Sequence, residues 1–104
     1  MNDFDSKARG WDSEKRHVER SEAIASELVK AVPLNKTMKA LEFGAGTGLL
    51  SFILKDKFAN ITMMDSSAEM MKVAQEKIAA ANAYHMHAVH VDIEREDYPG
   101  EFDI

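Results

Sequence analysis

Ala40-Leu41-Glu42-Phe43-Gly44-Ala45-Gly46-Thr47-Gly48 decides the reading of this chain. Its first four residues form a short, mostly apolar run that predicts a buried strand. The next five hold three glycines, too many for a helix or a strand to continue through them. From Leu49 to Lys57 the apolar residues Leu49, Leu50, Ile53 and Leu54 return at helical spacing. A glycine-rich turn between a strand and a helix lets the backbone bend sharply and approach a ligand with no Cβ in the way. The helix after it would turn its unpaired N–H groups and positive dipole end towards that ligand. A tight turn with no ligand is the plainer alternative.

The glycine spacing separates the candidate ligands. Dinucleotide sites favour G-x-G-x-x-G, with the third glycine packed beneath the pyrophosphate. Here the pattern is G-x-G-x-G, and Glu42 stands two residues before the first glycine. A carboxylate there would repel a pyrophosphate and attract a cationic amino acid. S-adenosylmethionine carries an ammonium and a sulfonium and no phosphate, so the pattern favours it over NAD or FAD.

Working outward, residues 1–12 read as a flexible, polar lead-in carrying the isolated aromatics Phe4 and Trp11. Asp12 or Ser13 is placed to cap a helix running to about Ala31, with Ile24, Ala25, Leu28, Val29 and Val32 on its apolar face and Pro33 as its stop. Ile61–Met64 predicts a second strand ending at Asp65. Ser66-x-x-Glu69 has capping-box spacing and opens a helix over 67–82, with Met70, Met71, Ala74 and Ile78 inward. A third strand is expected over 85–91, closed by Asp92. Pro99-Gly100 marks a loop, and Phe102-Asp103-Ile104 reads as the start of a fourth strand. Strands alternating with helices of this length imply a parallel sheet with right-handed crossovers, half of a doubly wound α/β fold.

The stretch 40–48 closely resembles motif I of the class I S-adenosylmethionine-dependent methyltransferases, and residues 38–104 follow that family's motif order. The resemblance implies a Rossmann-like sheet ordered 3-2-1-4-5-7-6, of which this chain holds strands 1–3 and the start of strand 4. It implies that Glu42 orients the methionine moiety, while Gly44, Ala45, Gly46 and Gly48 admit the cofactor. Asp65, followed by Ser66, would hold the ribose hydroxyls, and Asp92 the adenine amino group, with the backbone of Ile93 at the ring edge. Met70 is a candidate lining residue of the adenine pocket. Each assignment has a structural rival: Asp65 as a helix-capping carboxylate, Asp92 as a solvated loop residue, Met70 as core.

Composition narrows the classes further. The formal net charge of −5 and the lack of a basic stripe disfavour nucleic acid as partner and leave a small-molecule methyl acceptor. No apolar run approaches the ~20 residues that span a bilayer. The absence of cysteine fits a cytoplasmic protein. His85, His87 and His90 would point to both faces of a strand, so no metal site is expected. Trp11 and Phe4 read as packing anchors, with a substrate lid as the alternative.

Residues 13–104 are thus expected to form the N-terminal part of one methyltransferase domain, with the acceptor pocket and any general base lying beyond strand 4. An isolated half-sheet predicts either self-association or marginal stability, and negligible turnover by itself. Two other classes remain open: an NAD- or FAD-binding oxidoreductase half, and a naturally short, non-catalytic binding module.

Overall fold

The structure, a computed structural model, describes residues 4–92 and 101–104; Ile93 and the Pro99-Gly100 turn lie outside them. Three strands, β1 (Lys39–Phe43), β2 (Asn60–Asp65) and β3 (Met86–His90), form one parallel sheet in the order β1-β2-β3. Helix α1 (Lys15–Ala31) precedes β1, and α2 (Leu49–Ile53) and α3 (Ala68–Ala81) are the crossovers. This is the Rossmann-like α/β architecture that the alternation of strands and helices predicts.

Register places the site. Phe43 pairs with Met64 and Asp65 with His90, so the carboxyl ends of the three strands lie side by side. At the other edge of β1, Asp103 N donates to Lys39 O and Leu41 N to Ile104 O, both at 2.8 Å. Residues 103–104 therefore run beside β1 on the side away from β2, the position predicted for the fourth strand.

The strand period of two puts Ala40 and Glu42 on one face of β1 and Leu41 and Phe43 on the other. The first face, with Ile61, Met63 and Met86, joins Ala25, Leu54, Met71 and Ala74 from the helical side in one core. Met63, Met71 and Met86 fill its centre, at 0%, 1% and 2% exposure. An unbranched thioether fills an irregular space between small residues such as Ala40 and Ala74. Phe43, on the opposite face, is 56% exposed.

Four local expectations are corrected. Neither Asp12 nor Ser13 caps α1; Glu14 occupies the cap position without a side-chain bond. The face of α1 is turned from the one predicted, with Ala25 and His17 buried while Ile24 and Val29 stand exposed. The helix after the glycines stops at Ile53 and gives way to a 3-10 turn, Lys55–Lys57. A helix of one and a half turns has little macrodipole, so the loop's own N–H groups matter more than the helix end. Finally, Ser67 rather than Ser66 caps α3, its Oγ accepting from Met70 N at 3.2 Å.

The lead-in differs most. Asp5–Ser13 is a 3-10 helix tied to the body at three points. Asp5 Oδ1 accepts from Ser67 Oγ at 2.5 Å and from Glu69 N at 3.2 Å, adding a second acceptor to the N-terminus of α3. Arg9 pairs with Glu76. Asp12 bonds Thr47 and Lys77. Long 3-10 runs are uncommon because their hydrogen-bond geometry is poor, and here the tertiary bonds hold the segment in place.

Candidate cofactor site

The glycine loop joins the end of β1 to α2. Gly44, Gly46 and Gly48 have φ of 64°, 59° and 84°, all in the left-handed region that glycine enters without a Cβ penalty. Ala45 is buried and its N–H donates to Met64 O at 3.0 Å, stitching the loop to the end of β2. Thr47 is 1% exposed; its hydroxyl donates to Asp12 and its carbonyl accepts from Lys77 Nζ at 3.0 Å.

Two carboxylates flank this loop. Asp65, at the end of β2, accepts from Gly46 N through Oδ2 and from Ser67 N through Oδ1, both at 2.8 Å. It thus tethers the glycine loop to the start of α3. Glu42 points into a cavity of about 80 Å³ walled by Leu28, Ala40, Leu50, Leu54 and Phe58, where Ser51 Oγ donates to its Oε1 at 2.6 Å. Burial pushes the Glu42 carboxyl above the usual carboxylate range; the Ser51 bonds oppose the shift, nearby Asp65 adds to it and Lys77 works against it.

That shift has two measurable consequences. The folded chain holds the Glu42 proton more tightly than the unfolded chain. The stability from the neutral carboxyl is fully present below the unfolded-state pKa and is lost as pH rises through the folded one. Glu42→Gln should therefore flatten the decline of the urea midpoint as pH rises above the ordinary carboxylate range. Chemical denaturation at several pH values checks this. An unchanged pH profile would mean that Glu42 ionises at no cost in the fold.

Of the other candidates, Met70 is 1% exposed and lies under the loop, its Sδ 3.7 Å from the position of a Cβ on Gly46. Ser66 is exposed at the turn after β2, and its carbonyl accepts from His90 Nε2 at 2.9 Å. Asp92 is half-buried just past β3, where Val91 N donates to Asp65 O at 3.1 Å. Glu42, Asp65 and Asp92 thus stand at the carboxyl ends of three adjacent strands. The three histidines do not converge: His85 bonds Lys55 O, His87 Asn60 and His90 Ser66 O. Among the described residues no group of three His, Asp or Glu side chains could hold a metal ion.

Sequence reasoning passed over Ser51, Asp5, Thr47, Lys77 and His17, and read Asp12 only as a helix cap. Ser51 left a signal, a lone hydroxyl inside Leu49-Leu50-Ser51-Phe52-Ile53-Leu54 that must find a buried partner. His17 is buried, with its ring stacked on Trp11 at 3.6 Å and Nδ1 3.0 Å from Trp11 O.

Residues 40–104 match a family model described as a methyltransferase domain. The chain belongs to this methyltransferase-domain family. No curated protein matches the sequence. Solved structures carry the same fold. Magnesium protoporphyrin IX methyltransferase from Synechocystis, with bound S-adenosylmethionine, is similar at TM-score 0.67 and 23% identity, over 99% of this chain and 47% of that one. A methyltransferase from Thiobacillus denitrificans in complex with S-adenosylhomocysteine is similar at 0.61 and 21%, over 76% and 33%. A [4+2]-cyclase is similar at 0.67 and 20%, over 78% and 31%. The methyltransferase-domain chain therefore spans about a third to a half of the length of these structures. The cyclase among them shows that this fold does not by itself fix the reaction. Among the described residues no helix is long and apolar enough to cross a membrane.

Proposed function

We propose that this chain supplies the cofactor-binding half of an S-adenosylmethionine-dependent methyltransferase acting on a small-molecule acceptor in the cytoplasm. One observation carries the reading: Glu42 and Asp65 flank a loop whose three glycines all have positive φ. The donor set fits this cofactor. Carboxylates suit a ligand bearing an ammonium and a sulfonium and would repel a pyrophosphate. At Gly44, where a Cβ would meet nothing within 4 Å, the backbone is open to close approach.

In this reading Glu42 takes the ammonium, and Gly44, Ala45, Gly46 and Gly48 form the floor under the amino-acid arm. Asp65, with Ser66 beside it, accepts from the ribose diol. Asp92 accepts from the adenine amino group, and Met70 supports the pocket from below. When bound, S-adenosylmethionine would supply an electrophilic methyl group on its sulfonium. The chain's part is to hold that group still, because restricted geometry lowers the barrier to an in-line displacement. A small acceptor is favoured by the net charge of −5 and by the magnesium protoporphyrin IX in the name of the similar Synechocystis methyltransferase.

Ionisation of buried Glu42 is coupled to ammonium binding, so affinity should rise with pH through the interval above the usual carboxylate range. Calorimetric titration with S-adenosylhomocysteine, with NAD as control, tests the assignment. Micromolar binding of the former alone supports it, and NAD binding instead would overturn it.

A further inference from the structure

A zwitterionic amino-acid arm needs a donor for its carboxylate as well as an acceptor for its ammonium. The loop region is rich in acid: Glu42, Asp65 and Asp12 all lie at or against it. The nearby cation, Lys77, is committed to Asp12 Oδ2 at 2.8 Å and to Thr47 O at 3.0 Å. Loop N–H groups are partly spent too, with Ala45 N on Met64 O, Gly46 N on Asp65 and Gly48 N on Ala45 O.

A further donor, on a side chain, stands against the loop. Trp11 Nε1 lies 3.9 Å from the position of a Cβ on Gly46, where Met70 Sδ packs at 3.7 Å. The indole N–H donates and cannot accept, so it meets a carboxylate without repulsion. It has no acceptor among the described residues, although the ring itself is firmly set. One face stacks on His17 at 3.6 Å with the planes 19° apart, and Phe4 packs edge-on at 6.0 Å. The next residue, Asp12, is clasped between Thr47 and Lys77, which fixes the segment to the same loop.

We propose that Trp11 is a cofactor-binding residue whose indole N–H donates to the carboxylate of the cofactor's amino-acid arm, an inference that rests on the reading above. Asp12 is a positioning residue: it touches no ligand and holds the strap that carries Trp11. The 3-10 helix Asp5–Ser13 then serves as a preset wall of the binding site.

Trp11→Phe keeps an aromatic ring for the stack on His17 and removes only the N–H. Binding of S-adenosylhomocysteine and of its decarboxylated form, which keeps the ammonium and lacks the carboxylate, would be compared in wild type and variant by calorimetry. The expected result is a roughly tenfold to hundredfold loss for S-adenosylhomocysteine, the range of a hydrogen bond to a charged group, and little change for the decarboxylated ligand. Equal losses for both ligands, or none for either, would overturn the proposal, since a merely structural tryptophan cannot distinguish them. Failure of the wild-type protein to bind either ligand would overturn the cofactor reading itself, and this inference with it.

Discussion

Asp65→Ala is expected to reduce affinity for S-adenosylhomocysteine by at least about a hundredfold, the largest effect on binding of any single change in the site. An ionised carboxylate offers about four lone-pair sites. In the folded chain two are taken, one by Gly46 N and one by Ser67 N, each at 2.8 Å. Two remain, one on each oxygen, which is the complement of a ribose diol. The variant loses both of those charge-assisted bonds, at roughly 1.5–3 kcal/mol each. It also frees the glycine loop from the start of α3, leaving two N–H groups without their acceptor. Stability should therefore fall by about 1–3 kcal/mol as well.

Asp65→Asn separates the two roles. Its single carbonyl oxygen can keep only one of the tethers, and its amide presents N–H groups to a diol that needs acceptors. The expected outcome is a chain that stays folded but binds at least about tenfold more weakly. If Asp65→Ala binds S-adenosylhomocysteine within threefold of wild type, Asp65 serves the loop and not the ligand.

The division between what the sequence discloses and what it conceals follows the range of the forces. Strands β1 to β3 and helix α3 are legible because apolar period and glycine position are local properties. The pattern Met70, Met71 and Ala74 points inward as predicted, at 1%, 1% and 0% exposure. The glycine loop is legible for the same reason, since positive φ at three positions needs glycine at those three. By contrast, Asp5–Ser13 has a polar, glycine-containing sequence with no helical period. Its order comes from Asp5 on α3, Arg9 on Glu76, and Asp12 on Thr47 and Lys77, partners far along the chain. A local reading makes Asp12 a helix cap, because a short acid before a helix commonly is one. The fold instead uses it across a tertiary contact. Likewise Ile24 and Val29 satisfy the period of α1, but the helix is turned to bury His17 against Trp11. Periodicity fixes that a helix has an apolar face; it does not fix which neighbour claims it.

Within the loop, the three glycines should differ sharply in their tolerance of alanine, because only one is short of space. A Cβ on Gly48 would stand 2.5 Å from Met63 Sδ and 3.4 Å from Phe52 Cδ2, at φ 84°. Met63 is 0% exposed at the centre of the core, so its thioether has nowhere to retreat. Left-handed strain of roughly 1–2 kcal/mol adds to an overpacking term of roughly 1–3 kcal/mol. Gly48→Ala should therefore lose about 2–5 kcal/mol, a large share of the ~5–15 kcal/mol that holds a typical domain. Gly44 supplies the control, since its φ of 64° is similar but nothing lies within 4 Å of its Cβ position. Gly44→Ala should show the strain alone, roughly 1–2 kcal/mol. Urea unfolding of both variants measures the difference. Placing Gly48→Ala in a Met63→Ala background, where the clash is gone, should shrink its cost to that of Gly44→Ala. If the cost persists at full size there, the requirement for glycine at position 48 lies in the backbone and not in the methionine packed against it.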